Sequence, residues 1–365
     1  MRKILVLASV MMLGASGAWA LGADTNYDTD VTNSVTLSYT VGGNAQTNIT
    51  ANDGAGFKVD RKVDVLVATS DGTNVIVNPG DNIAPQDNNK YLTFTVKNET
   101  NGNQDFKLSL ENLSTGTATL DAGETDDIDF STDLKVCTDN TCSGGDISGT
   151  NISFTEDEIK TYYVFADIPV GTADNRRASI ALIATAVDDG TTNTMSDDSG
   201  SADNITGVDI VFADGDGVAT GHGANSGKHS ALSAYEVQAA VLSATKTSCV
   251  VSDPVNGTSN PKRIPGAVIR YEIEVTNSGS ADANVTISDN VPAGLDSSTT
   301  ANLDIRTAAC KGIDGTTHAC ADHTGDPQET NARTAGAGTG NITLDYDNVA
   351  AGATECGYFD VTIQN

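Results

Sequence analysis

The stretch from Ile264 to Leu295, IPGAVIRYEIEVTNSGSADANVTISDNVPAGL, constrains the fold more tightly than any other part of the chain. From Ala267 to Val275 the odd positions Ala267, Ile269, Tyr271, Ile273 and Val275 are apolar, and Arg270, Glu272 and Glu274 alternate with them. A period of two belongs to a strand with one face on a core and the other in water. Asn277 to Ser280 supply turn chemistry, and Ala283, Val285 and Ile287 restart the alternation. Pro292 and Gly294 end it, because proline lacks a ladder donor and glycine accepts the angles of a turn.

The same grammar recurs along the chain. Val35, Leu37, Tyr39 and Val41 alternate with Ser and Thr, and Gly42, Gly43 and Asn44 turn the run towards a second strand that includes Ile49, which predicts a hairpin. Phe57 to Ala68 keeps Phe57, Val59, Val63, Val65 and Val67 on one parity, with Arg61 as the exception. Leu92, Phe94 and Val96 alternate, and beyond the Asn101-Gly102 turn Phe106, Leu108 and Leu110 do so again. With Pro79 and Gly80 ahead of it, this pair follows the plan of Tyr271 to Ile287, an internal repeat at the level of fold. Strands also follow at Ile128 to Val136, Ile152 to Phe154, Tyr162 to Val170 and Ala178 to Val187. Asp188 to Ser233 is rich in Asp, Gly, Ser and Asn, yet it holds a strand at Gly207 to Ala213. That favours a long loop folded onto the first domain over an acidic linker, with flexibility on both sides. Ser233 to Lys246 then alternates Tyr235, Val237, Ala239 and Val241 into the second domain.

The order of Pro265-Gly266, a strand, Thr276-Asn277-x-Gly279, a second strand, and Asp289-x-x-Pro292-Ala293-Gly294-Leu295 resembles the bacterial conserved-repeat domain called domain of unknown function 11. The lead-in from Ser252 to Gly266 is similar to that of secreted members. YYVFADIPVGTADNRRASIALIATA, ending at Ala186, resembles the closing hairpin of an immunoglobulin-like domain in secreted bacterial proteins. The resemblance implies an immunoglobulin-like β-sandwich on a secreted or cell-surface bacterial protein, and it brings no catalytic residues. The expected architecture is all-β: a signal peptide at 1–20, an immunoglobulin-like sandwich at 21–187, an acidic elaborated loop at 188–243 and a conserved-repeat sandwich at 244–365.

Export follows from the N-terminus. Arg2 and Lys3 precede an apolar run from Ile4 to Leu13 and the small-x-small site Ala18-Trp19-Ala20, a secretory signal. No later segment is apolar enough for a transmembrane helix. With 49 acidic against 20 basic side chains and a net charge of −29, the chain is unsuited to nucleic acid and to anionic membrane surfaces. Six cysteines in an exported chain read as disulfides. Spacing suggests Cys137 with Cys142 and Cys310 with Cys320, leaving Cys249 to join Cys356 and staple the second domain. The parity of Cys356 is awkward there, since Phe359, Val361 and Ile363 face the core, so this pairing needs a bulge at Gly357.

Chemistry-bearing motifs are sparse. Asp214-Gly-Asp216-Gly217 after Asp209 is the best calcium candidate, because calcium takes several oxygen ligands and glycine turns bring carboxylates together. An acidic solvated turn is the competing reading. Asp121, Glu124, Asp126, Asp127 and Asp129 read as a second surface cluster. His222, His229, His318 and His323 lack metal-site spacing and read as exposed loop residues. There is no nucleophile elbow, GHGANSGKH fails as a phosphate loop because His229 stands where Ser or Thr is required, and the only tryptophan, Trp19, lies in the signal. A non-enzymatic surface or matrix protein follows, with other copies of itself or other surface proteins as partners. The hairpin from Val35 to Val41 is a candidate for pairing in trans. The alternative is an extracellular module for carbohydrate or protein that uses loops such as Asp188 to Ser233.

Overall fold

The computed structural model describes residues 25–54, 56–81, 90–130, 134–327, 333–334 and 341–365; the segment 1–20 expected to be a signal lies outside them. All regular elements among these residues are strands, so among the described residues the expectation of an all-β protein holds. The chain divides into two compact units, one ending at Tyr235 and the other formed by Glu236–Asn365 with the short inserts Ile76–Asp81 and Ile168–Arg177.

Two larger sheets make most of the first unit, alongside two-stranded pairs. One has the order Lys135–Cys137, Ile159–Phe165, Leu92–Asn98, Val65–Thr69; the other runs Asn151–Phe154, Gln104–Asn112, Arg177–Val187, Lys228–Val237, Val75–Val77. Along Leu92–Asn98 every second residue is buried, as the alternation requires. Arg177–Val187 departs from that pattern, because all its residues after Arg177 are buried. The cause is a second cover. Ala181 and Ile183 pack with Leu113, Ala219 and Leu232 on one face, so part of the Asp188–Ser233 region lies on the outer side of this sheet. Ile210–Phe212 within it pairs in parallel with Arg61–Val63.

The supposed closing hairpin is not one. Ile159–Phe165 lies in the four-stranded sheet and Arg177–Val187 in the five-stranded sheet, so the chain crosses from one layer to the other between them. The run from Ser233 to Lys246 likewise splits into Lys228–Val237 and Leu242–Ser252.

The second unit has a sheet in the order Leu242–Ser252, Val268–Asn277, Thr354–Ile363, Leu295–Arg306 and a smaller one of Ala283–Asn290, Asn341–Val349, Arg333–Thr334. Ile269, Ile273, Val275, Phe359 and Val361 from the first meet Ile342, Leu344, Tyr346 and Val349 from the second in one apolar core. That is a sandwich-like arrangement. The Asn277 turn carries the chain from one layer to the other, and its side chain holds the crossing. Asn277 Nδ2 donates to Ala281 O (2.8 Å) and Val349 O (3.1 Å), while Oδ1 accepts from Gly279 N (3.1 Å). Asn98 does the same in the first unit, donating to Gly102 O (2.8 Å) and Thr155 O (3.0 Å) and accepting from Thr100 N (3.0 Å). The repeat read in the sequence is thus a repeated crossing device. Gly279 must be glycine, because a Cβ there would run into the backbone of Ala239 and Val241.

The disulfides correct two of the expected pairs. Cys137 joins Cys142, but Cys249 joins Cys320 and Cys310 joins Cys356. The register gives the reason. Cys249 lies opposite Arg270 and Cys356 opposite Glu274, on the face turned away from the core, where they meet a segment that crosses over that face. The Val268–Asn277 and Thr354–Ile363 pairing runs without a shift from Val268 to Thr276, so no bulge at Gly357 is needed. Gly357 instead makes room on the core side for Tyr346 and Leu344.

Because each crossing asparagine is buried and hydrogen-bonds the backbone on both sides of its crossing, Asn277→Ala and Asn98→Ala should each cost about 2–4 kcal/mol in urea denaturation, on the order of two lost buried hydrogen bonds. Substitution of the exposed neighbour Ser278 should change stability by less than ~0.5 kcal/mol.

Candidate functional site

Among the described residues, the N-terminal ribbon carries a run of exposed large apolar side chains. Asp30–Val31 pairs with Phe57–Lys58, Ser34–Leu37 with Ile49–Asn52, and Thr40–Val41 with Asn44–Ala45, with Gly42 and Gly43 at the tip in the positive-φ region that glycine favours. Its base is clamped. Tyr27 N donates to Asn101 O (2.9 Å), the Arg61 guanidinium sits 4.4 Å from the Tyr27 ring centroid, and that ring fills the space beside Gly102. Beyond the base both strands are exposed along their length. Val35 (65% exposed), Leu37 (51%), Val41 (60%) and Ile49 (53%) form an uncovered apolar side, while Thr36 and Thr50 hydrogen-bond at 3.4 Å on the other. The sequence showed the alternation correctly, but among the described residues no core of its own unit meets it.

The second feature is a buried polar layer in the second unit. Arg270, Glu272 and Glu274 read as solvent-facing, yet Arg270 is buried and Glu272 is 0% exposed. The segment between Arg306 and Pro327, tied down by Cys249–Cys320 and Cys310–Cys356, lies over them. Arg270 makes a two-pronged bond to Asp360 (2.8 and 3.0 Å) and stands over the Tyr358 ring at 4.7 Å. His323 stacks on Tyr358 at 4.7 Å and is held by Glu272 (3.1 Å) and Asp326 (3.0 Å). Glu272 and Glu274 also accept the backbone N–H groups of Gly312 (2.9 Å) and Cys310 (3.0 Å) in the covering segment. His323 is therefore a buried anchor, not an exposed loop residue. Glu272, His323 and Cys356 bring ligand atoms within 4.8 Å of one another, but the Cys356 sulfur is spent in its disulfide.

Asp209, Asp214 and Asp216 are not gathered into one loop. Asp209 stands with Asp60 and Asp203, their ligand atoms within 4.8 Å, and its own N–H donates to Asp60 Oδ1 at 2.9 Å. Asp214 is buried, and its carboxylate accepts from Gly227 N (2.6 Å), Ser226 N (3.0 Å) and Ser226 Oγ (3.1 Å). Asp216 Oδ1 accepts from Ala224 N at 2.8 Å. Both hold their glycine-rich loop closed, and among the described residues neither belongs to a group able to hold a metal. Of the second acidic cluster, Asp126 is buried, accepting from Ser179 N at 2.5 Å, and burial raises its pKa. Asp121 and Glu124 accept from Asn74.

His318 is exposed, but His229 is half-buried, and its Nδ1 accepts the Val67 N–H at 3.1 Å. That bond requires a neutral ring, and burial lowers the pKa of both His229 and His222 from the ordinary histidine value. A groove of about 850 Å³ in the second unit is lined by Asn78, Asp174, Gln238, Ser280 and Asp282 among others. Its two carboxylates are already engaged, Asp174 with Ala239 N (2.7 Å) and Ser280, and Asp282 with Ala351 N (2.8 Å).

No protein-family model and no curated protein matches the chain. Among solved structures it is similar to the C-terminal domain of the AgI/II polypeptide BspA of Streptococcus agalactiae, at 7% identity and a TM-score of 0.34 over 83% of this chain and 91% of that one. It is also similar to the major pilin SpaD of Corynebacterium diphtheriae, at 11% identity and a TM-score of 0.22 over 73% of this chain and 53% of that one. A third is the serine-rich repeat adhesion glycoprotein Srr1 of Streptococcus agalactiae, at 12% identity and a TM-score of 0.21 over 83% and 89%. These are distant likenesses to bacterial surface proteins, and at such scores they assign no activity. The conserved-repeat resemblance rests on its quoted residues alone.

The His229 geometry fixes a pH response. The fold holds this ring neutral while the unfolded chain takes a proton below about pH 6.5. His229 therefore contributes fully above that pH, and its contribution is lost as the pH falls towards its depressed folded value. Thermal denaturation between pH 7.5 and 5 should show a loss of up to about 1.4 kcal/mol per pH unit from this group. His229→Gln should flatten that part of the slope.

Proposed function

We propose that the chain is a secreted, non-enzymatic structural and adhesive protein of the bacterial cell surface or extracellular matrix, which associates with copies of itself or with other surface proteins by adding strands. In this reading the modules at 21–187 and 244–365 are immunoglobulin-like sandwiches that act as rigid spacers, with 188–243 as an elaboration of the first. The observation that carries it is the ribbon: a two-stranded element is marginal in water on its own, and this one holds its apolar side away from its own unit. Such an element gains by joining another sheet. Disulfide ties and covered sheet faces suit a load-bearing body outside the cell.

The chemistry of the groove supports a non-catalytic role. Asp174 and Asp282 in the groove are committed to backbone and serine partners. Part of the Asp188–Ser233 region, which a binding module would present as recognition loops, instead covers a sheet.

Light scattering of the purified mature chain across a concentration series tests the reading. The wild type should grow beyond monomer mass as it is concentrated, and Val35→Asp with Leu37→Asp should weaken that growth by ten-fold or more. Monomer mass for the wild type at every concentration, or unchanged growth of the double variant, would refute it.

A further inference from the structure

Resting on the reading that the ribbon associates by strand addition, we infer that its acceptor is the free edge of the second unit of another copy, residues Leu242 to Thr247. Leu242–Ser252 is the outermost strand of its sheet. Along it the Ser248 carbonyl accepts from Arg263 (3.2 Å) and the Val250 carbonyl from Cys320 N (2.9 Å), so the even residues turn their backbone groups outward. Val241 O and Asn277 N bond inward to Ser278 N and Ala353 O, which fits the same alternation. The outward N–H and C=O groups of Leu242, Ala244 and Lys246 therefore face solvent, and among the described residues no backbone group pairs with them. From Leu242 to Thr247 every residue is exposed. The covering segment thus guards the lower half of this edge and leaves the upper half open.

Charge selects the partner. The chain carries −29 overall, so most contacts between copies set carboxylate against carboxylate. From Val31 to Asn52 the ribbon has no charged residue, and from Val237 to Ser252 the edge has only Lys246. These two stretches can approach without repulsion. Their apolar sides also match. Leu242, 45% exposed, and Ala244 lie on the core face of their sheet, opposite Asn277 and Val275. A strand laid beside them sets Val35, Leu37, Tyr39 and Val41 against the open flank of that core. The open edge is about 20 Å long and Ser34 to Val41 about 26 Å, at the rise of a strand. Because ribbon and edge are different surfaces, the contact is head-to-tail and leaves a free ribbon and a free edge at the ends of any chain of copies.

Three variants test this in light scattering: Val35→Asp with Leu37→Asp in the ribbon, and two independent edge variants. Ala244→Pro removes one outward N–H without touching the inner ladder, and Leu242→Lys places a charge on the open flank. Each should retain the melting temperature of the wild-type monomer and lose association by ten-fold or more. An equimolar mixture of the ribbon variant with either edge variant should form dimers that grow no further, since one intact ribbon and one intact edge remain. If both edge variants assemble like wild type, or the mixture stays monomeric, the acceptor is elsewhere and this inference fails while self-association stands. If the wild type does not associate at all, the reading beneath it fails as well.

Discussion

A sheet has two faces and two edges, and water is a poor neighbour for apolar side chains on either face or for unpaired N–H and C=O groups at an edge once they are buried. Each apolar side chain of valine or leucine size left in water forgoes about 1.5–3 kcal/mol. The architecture can be followed as a series of answers to that constraint. In each unit, inner sheet faces close on an apolar core. On the outer faces the two units diverge. Arg177–Val187 receives an apolar cover through Ala219, whereas Val268–Asn277 and Thr354–Ile363 receive a polar one through His323, which meets Glu272 and stacks on Tyr358. A polar layer gains little over a well-packed apolar one, and two disulfides add to what holds its cover in place.

How much of this the sequence disclosed depends on whether the governing interaction is local. Strand alternation is local, so Leu92 to Val96, Ala267 to Val275 and the hairpin at Val35 to Val41 were legible at once. Crossing from one layer to the other is decided by distant packing, which is why Ile159–Phe165 and Arg177–Val187 looked like a hairpin and are not. Arg270 and Glu272 looked solvent-facing because nothing next to them in sequence announces a cover. The signal was present, but in the cysteines: Cys356 is off the core parity, and a cysteine on the outer face needs a partner on that side. Followed through, that oddity leads to Cys310 and to a segment lying across the sheet. The acidic residues pose the opposite case. Asp214 and Asp216 suggested a cation because their spacing is loop-like, but backbone N–H groups compete for the same oxygens and hold both.

The ribbon is where the constraint is left unanswered. It is uncharged from Val31 to Asn52 on a strongly acidic chain, clamped at its base by Tyr27 and Arg61, and apolar on a side that its own unit does not cover. A rigid base with an uncovered tip is a poor arrangement for a solitary molecule and a serviceable one for a molecule that joins another. In the proposed assembly the covered faces of the two units serve as spacing elements, and the open stretch at Leu242 to Thr247 as the complementary edge.

Hydrogen–deuterium exchange of the ribbon amides, from Ser34 to Asn52, measured at high dilution and again in concentrated material, bears on this account most directly. It predicts fast exchange in the dilute monomer and strong protection once the chain has associated, with the core strands Leu92–Asn98 and Val268–Asn277 protected in both. Ribbon amides that are already protected at monomer mass, or that stay unprotected in associated material, would contradict it.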